Sequence, residues 1–106
     1  MNKEHHQEIL AKFIEHLEFT ALQNKSSYRK GIQIYEMGQC RLMTSSTNTY
    51  SFSVEDDYED FKVDLNFRER KIDTQCSCHS LNRCSHIYAA SFQTQQEMSR
   101  TLFITN

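Results

Sequence analysis

The chain of 106 residues contains no proline, no tryptophan and only two glycines. Without proline-rich or glycine-rich stretches it has no recognisable linker, and it shows no repeated segment, so we predict a single domain over residues 1–106. The two glycines, Gly31 and Gly38, do not have the spacing of a G-x-x-x-x-G-K-[ST] loop. That absence excludes a P-loop ATPase within these residues.

Long apolar runs and an excess of positive charge are also missing. No stretch approaches the roughly 18 apolar residues of a membrane helix, and the polar N-terminus has no signal-peptide core. We therefore expect a cytoplasmic protein with no membrane partner. The net charge of -2 excludes a protein that coats nucleic acid with uniform positive charge, so any DNA contact must use a local patch. With 38% hydrophobic residues, the core is modest and a bound metal would add useful stability.

Hydrophobic periodicity predicts an α+β fold. Apolar residues recur every three or four positions over residues 4–22 and 27–37, which predicts two helices, and Gly38 suits the end of the second. The period then falls to two, which predicts strands of an antiparallel meander. These strands cover residues 40–44, 50–54, 61–67 and 72–76. A helical pattern returns over residues 85–98, so a helical part (residues 1–38) precedes the meander and closing helix (residues 39–98).

Three of the four cysteines, Cys76, Cys78 and Cys84, fall within nine residues, and His86 follows two residues after the third. Residues i and i+2 of a strand point to the same side about 6.6 Å apart, so the first two thiols can reach one ion. The loop then returns the other pair to a helix start, where free N–H groups favour a thiolate. Three thiolates and one imidazole complete a tetrahedral Zn²⁺ shell, which predicts a structural metal without an open catalytic position.

Other interpretations of the cluster are open but weaker. The cysteines could group without a metal, and His79 could replace His86 as the fourth ligand. A redox centre is less expected because the usual CxxC spacing is missing, and the zinc deaminase motif is absent. We see neither an open ligand position nor a nearby general base, so we expect no enzyme and no small-molecule substrate. Cys40 lies in a predicted strand and is expected to be a core residue.

Cys-Ser-Cys, a short loop and Cys-Ser-His-Ile-Tyr-Ala-Ala together resemble the SWIM zinc finger, whose pattern is CxC, a variable loop and CxH at a helix start. Residues 28–38 look like the segment that precedes the strands in bacterial SWIM proteins, near the N-terminus of Swi/Snf-type helicases. The resemblance covers residues 28–90 and departs at Arg83, where proline or glycine is often found. It implies a ββα unit stapled by zinc at Cys76, Cys78, Cys84 and His86.

The resemblance also implies a role in binding DNA or a protein partner such as a helicase-type ATPase, whose motor would lie on another chain or beyond residue 106. Four cations are predicted to form a nucleic-acid-binding edge near the zinc: Arg68, Arg70, Lys71 and Arg83. The alternative is an ordinary solvated turn. The acidic run over residues 55–60 is most simply a hairpin turn, but it could dock a basic partner. Two hypotheses follow, a DNA-binding module and a protein–protein adaptor.

Overall fold

A computed structural model describes residues 3–20, 25–69, 71–78 and 84–105. Within these ranges the chain forms three helices and four strands, which confirms the predicted α+β class. In chain order they are α1 (Lys3–Thr20), α2 (Lys25–Glu36), β1 (Cys40–Ser45), β2 (Thr49–Asp56), β3 (Glu59–Arg68), β4 (Lys71–Cys76) and α3 (Ser85–Thr105).

The four strands form an antiparallel meander in the order β1-β2-β3-β4. Alternation along β2 and β3 gives the sheet one apolar and one polar face. Phe52 and Val54 are fully buried, whereas Ser51 and Ser53 between them remain partly exposed. The helices cover the apolar face, and α3 contacts all four strands as well as α1 and α2. The start of α3 therefore lies at the junction of the sheet and the helical layer.

Helix α3 is longer than its pattern predicted. The predicted end near residue 98 is wrong, because the helix continues to Thr105 and no proline or glycine interrupts it. Its buried side includes Ser91 and Thr94, whose hydroxyls donate to carbonyls four residues earlier at 2.8 and 2.7 Å. These bonds satisfy the buried hydroxyls. Among the described residues, no helix combines the length and apolar character needed to cross a membrane.

The structure explains why glycine occupies both position 31, within helix α2, and position 38, just after it. Gly38 ends the helix with φ at 71°, and its N–H donates to the Tyr35 carbonyl at 3.1 Å. This confirms the predicted helix end. Gly31 faces α3, where an added Cβ would lie 2.5 Å from Cβ of Tyr88 and 2.9 Å from the Ser85 carbonyl oxygen. The lack of a side chain at Gly31 lets α2 pack directly against the first turn of α3.

The two turns that flank β3 lie at its opposite ends. Strands β2 and β3 are joined by Asp57 and Tyr58, with φ values of 53° and 63°. Two residues of positive φ match the twist of a hairpin, although Asn-Gly is the usual choice. Glu69, in the turn between β3 and β4, also has a positive φ of 53°. The first turn lies within the acidic run, and Arg68 and Lys71 of the predicted basic edge flank the second.

Candidate metal centre

The structure brings together the four residues that the sequence singled out as ligands. One ligand atom from each of Cys76, Cys78, Cys84 and His86 lies within 4.8 Å of the others. The imidazole presents Nδ1 to the sulfurs, 3.4 Å from Sγ of Cys76 and 3.6 Å from Sγ of Cys84. The alternative ligand, His79, lies outside the described residues. The cluster is a Cys₃His set that could hold a metal ion.

The spacing of these atoms fits four-coordinate binding. Metal–sulfur distances of about 2.3 Å and metal–nitrogen distances of about 2.0–2.1 Å place sulfur and nitrogen about 3.6 Å apart on a tetrahedron. The measured Sγ–Nδ1 separations of 3.4 and 3.6 Å are close to that value. A shared ion would therefore require little movement of the imidazole relative to Cys76 and Cys84.

The first cysteine pair is held by the end of the sheet. Ser77, between the two cysteines, donates its backbone N–H to the Lys62 carbonyl at 2.9 Å. Its hydroxyl accepts the Lys62 N–H, also at 2.9 Å. These bonds clamp Ser77 to β3, and both flanking sulfurs belong to the same cluster. The CxC pair therefore converges as predicted, although only Cys76 belongs to β4 and Cys78 lies in the turn that follows it.

Cys84 stands at the start of α3, where its carbonyl accepts the N–H groups of Ile87 and Tyr88 at 3.1 and 3.3 Å. A hydrogen bond from the Cys76 thiol, with further ones from His86 and the Ile87 N–H, lowers the pKa of Cys84 to about 4 against the opposing effect of burial. The pKa of Cys76 is raised because its thiol donates to Cys84 and because it is buried. The cluster thus favours a thiolate at Cys84, the form that binds metals.

The sequence did not predict three contacts around His86 and Asp56. Nε2 of His86 lies 2.9 Å from Oδ2 of Asp56, and Oδ1 of Asp56 lies 3.0 Å from Nζ of Lys30. The ring of Phe61 is half-buried and stacks on the His86 ring at 4.2 Å and 16°. A signal for Asp56 was present, because it shares the strand parity of the buried residues Phe52 and Val54.

These contacts alter the acid–base balance around the imidazole. Burial alone would lower the pKa of His86, but hydrogen bonds with Cys84 and Asp56 outweigh it and raise the pKa to about 9. Burial alone would raise the pKa of Asp56, but its hydrogen bonds with His86 and Lys30 lower it. Lys30, Asp56 and His86 therefore form a connected line of polar groups that ends at the sulfurs.

The predicted basic edge does not lie beside the metal centre in the part that the structure describes. Arg68 and Lys71 lie opposite each other in the register of β3 and β4, next to the turn. Lys71 is five residues before Cys76 on the same strand, about 16 Å away. Arg70 and Arg83 lie outside the described residues. The expectation of an edge near the zinc is therefore wrong for Arg68 and Lys71, because the length of β4 separates them from the cluster. The acidic β2–β3 turn, in contrast, lies at the metal end.

No family model, no curated protein and no solved structure matches this chain. The resemblance to the SWIM zinc finger therefore rests on the sequence motif alone. The end of β4 supplies Cys76, and Cys84 and His86 lie at the start of α3. That arrangement is compatible with a zinc finger.

Proposed function

We propose that the chain is a zinc-binding, non-catalytic recognition module of the SWIM type. The observation that supports this most directly is the separation of 3.4 and 3.6 Å between Nδ1 of His86 and two cysteine sulfurs, close to the edge of a tetrahedral zinc site. Thiolate and imidazole ligands suit Zn²⁺, and four protein ligands leave no position for a substrate. The metal would hold structure together.

Zinc would tie together two parts of the chain that are separated in sequence. It would connect the end of β4 to the first turn of α3, on either side of residues 79–83. In a chain of 106 residues such a connection contributes directly to folding. The module would then present its surface to a partner from a rigid frame.

Metal analysis of the reduced, full chain tests the zinc proposal. We expect one zinc per chain and, after exchange for Co²⁺, the absorption bands of a tetrahedral thiolate site. Cys78→Ser should lower the metal content, because serine does not supply a thiolate. A wild-type chain that binds no zinc at neutral pH under reducing conditions would contradict the proposal.

We propose duplex DNA as the ligand of this module, contacted through the β3–β4 turn. The Arg68 side chain is 77% exposed, and its contact with Asp73 is a long 3.4 Å. Such an exposed pair contributes little, so the guanidinium is available to a phosphate. Lys71 is exposed beside it, and the sequence places Arg70 in the same turn.

Fluorescence anisotropy with a labelled duplex tests DNA binding. We expect affinity that falls between 50 and 200 mM salt, and a double variant Arg68→Ala/Lys71→Ala that weakens binding and reduces the salt slope by about 2. The matched control is Lys12→Ala, an exposed cation on α1. No binding by the zinc-loaded chain at low salt would contradict this proposal for the isolated module.

A protein–protein adaptor is the second candidate, favoured by the acidic tip beside the metal centre. Tyr58 is fully exposed at this tip. Four exposed carboxylates surround it, those of Glu55, Asp57, Glu59 and Asp60. This combination suits a basic protein surface, such as one on a helicase-type ATPase.

Partner capture by the zinc-loaded chain separates the two candidates. If the ligand is a protein, capture survives nuclease treatment, and Tyr58→Ala weakens it while Arg68→Ala does not. Capture that disappears with nuclease would contradict the adaptor and support nucleic acid as the bridge.

A further inference from the structure

We propose that Asp56 is a positioning residue for the metal centre, which holds the imidazole of His86 with Nδ1 toward the thiolates, and that Lys30 holds Asp56 in place. This inference rests on the proposed metal-binding function. It also assigns a role to one residue of the acidic run, which is largely buried while its acidic neighbours are exposed. Asp56 has a side chain that is only 15% exposed.

The first step of the argument concerns the two ring nitrogens. A neutral imidazole that binds a metal through Nδ1 carries its proton on Nε2. In this structure Nε2 lies 2.9 Å from Oδ2 of Asp56. An ionised carboxylate is purely an acceptor, so it favours the form of His86 with the proton on Nε2. Asp56 therefore selects the tautomer that leaves Nδ1 free for the metal.

The second step concerns the orientation of the ring. The His86 side chain is 7% exposed, and Phe61 stacks on its face at 4.2 Å with an interplanar angle of 16°. Stacking restrains the ring plane, and the Asp56 contact restrains rotation within that plane. With both in place, Nδ1 already faces the sulfurs, and metal binding needs little reorganisation of the side chain.

The third step explains Lys30. A largely buried carboxylate is stable when its oxygens have partners, and Nζ of Lys30 lies 3.0 Å from the oxygen that His86 does not use. Three thiolates with Zn²⁺ already leave a formal excess of negative charge, to which Asp56 adds. Lys30 offsets that addition from outside the ligand set. Through these contacts α2, the β2–β3 hairpin and α3 meet at one centre.

Zinc affinity of the full chain, measured by competition with a chromophoric chelator, tests the proposal. We expect Asp56→Ala to lower zinc affinity by about 10- to 100-fold, as removal of such outer partners of ligands does in other sites. Asp56→Asn keeps an acceptor oxygen and should recover part of the loss. Glu55→Ala, the matched control on the exposed face of the same strand, should leave affinity unchanged. Lys30→Met should cause a smaller loss than Asp56→Ala, and Lys12→Met none.

A second readout separates positioning from a general loss of stability. Long-range ¹H–¹⁵N spectra of the zinc-loaded wild type should show Nδ1 bound to the metal and a slowly exchanging proton on Nε2. In Asp56→Ala that proton should exchange rapidly while Nδ1 stays bound. A merely structural role would not change proton exchange at this one nitrogen.

The outcomes distinguish this inference from the proposed function. A wild-type chain without zinc would overturn both. A wild type with one zinc, together with Asp56→Ala of equal affinity and equal Nε2 proton exchange, would overturn the positioning role alone. If Asp56→Ala does not fold, Asp56→Asn and Lys30→Met provide the same two readouts, and wild-type values in both would again overturn it.

Discussion

Each end of β3 has a carboxylate paired with a basic side chain, but the two carboxylates have very different surroundings. At the β2–β3 end, Asp56 is 15% exposed and has partners at 2.9 and 3.0 Å. At the β3–β4 end, Arg68 and Asp73 lie 3.4 Å apart with exposures of 77% and 53%. Water screens the second pair, whereas Asp56 and His86 are largely shielded from it even though Lys30 is 46% exposed, so the Asp56 contact can orient the imidazole more strongly.

The difference arises from the helices. Lys30 of α2 contacts Asp56, and the absence of a side chain at Gly31 brings α2 against the first turn of α3, which carries His86. The metal end is thus enclosed by α2, α3 and the β2–β3 hairpin, whereas Arg68 and Lys71 stay exposed. Breaking the enclosed end should therefore have much larger effects than changing the exposed end.

Cys84→Ser should have the largest effect. The variant loses a ligand and the metal-linked part of folding, since apparent zinc binding free energies of structural sites reach roughly 10–16 kcal/mol at neutral pH. We expect the melting temperature of the wild type to fall when a chelator removes zinc. The variant should melt low with or without the chelator, with loss of the C-terminal half of the fold.

Cys40→Ala is the matched control for that experiment. Cys40 is 5% exposed in the core, and burial, with a smaller contribution from the charge of Glu97, raises the pKa of its thiol to about 12. It is not part of the metal cluster, so the control should keep one zinc and a full response to the chelator. A Cys84→Ser chain with full metal content and unchanged melting would refute the site.

Gly31→Ala should have the next largest effect and would test how α2 encloses the metal end. The added Cβ would lie 2.5 Å from Cβ of Tyr88, and relief of such overpacking typically costs about 1–3 kcal/mol. Because the displaced turn carries His86, zinc affinity should fall together with the free energy of unfolding. Chemical denaturation and chelator competition measure the two quantities.

Gly38→Ala provides the contrast at the other glycine of α2. Its φ of 71° makes alanine strained, but the added Cβ would meet nothing within 4 Å. The free energy of unfolding should fall by about 1 kcal/mol while zinc affinity is unchanged. Equal losses of zinc affinity in both glycine variants would contradict the role given to Gly31.

Arg68→Ala, at the exposed end, should have the smallest effect on stability. An exposed ion pair of this kind contributes about 0–1 kcal/mol, so the free energy of unfolding of the zinc-loaded chain should barely change. Urea denaturation measures it, and zinc affinity should equal that of the wild type. A loss well above 1 kcal/mol would show that the two ends are less different than the structure indicates.

Much of the fold followed from local pattern. The period of apolar residues predicted the helices and the four strands, and Gly38 predicted the end of α2, because these features depend on neighbouring residues alone. The CxC and CxH spacings likewise predicted the ligand set that the structure brings together. The end of α3 was predicted too early, since nothing in the chain interrupts the helix before Thr105.

The sequence by itself determined the α+β class and the meander, because strand parity and helix periodicity are local, and it singled out the four residues of the metal cluster by their residue types and close spacing. Only the tertiary structure decided that Asp56 points to His86 while its acidic neighbours face water, and that Lys30 and Phe61 complete the surroundings of the imidazole. It also decided that Arg68 and Lys71 lie a strand's length from the cluster. These facts depend on which elements pack together, and packing joins residues that are distant in the chain.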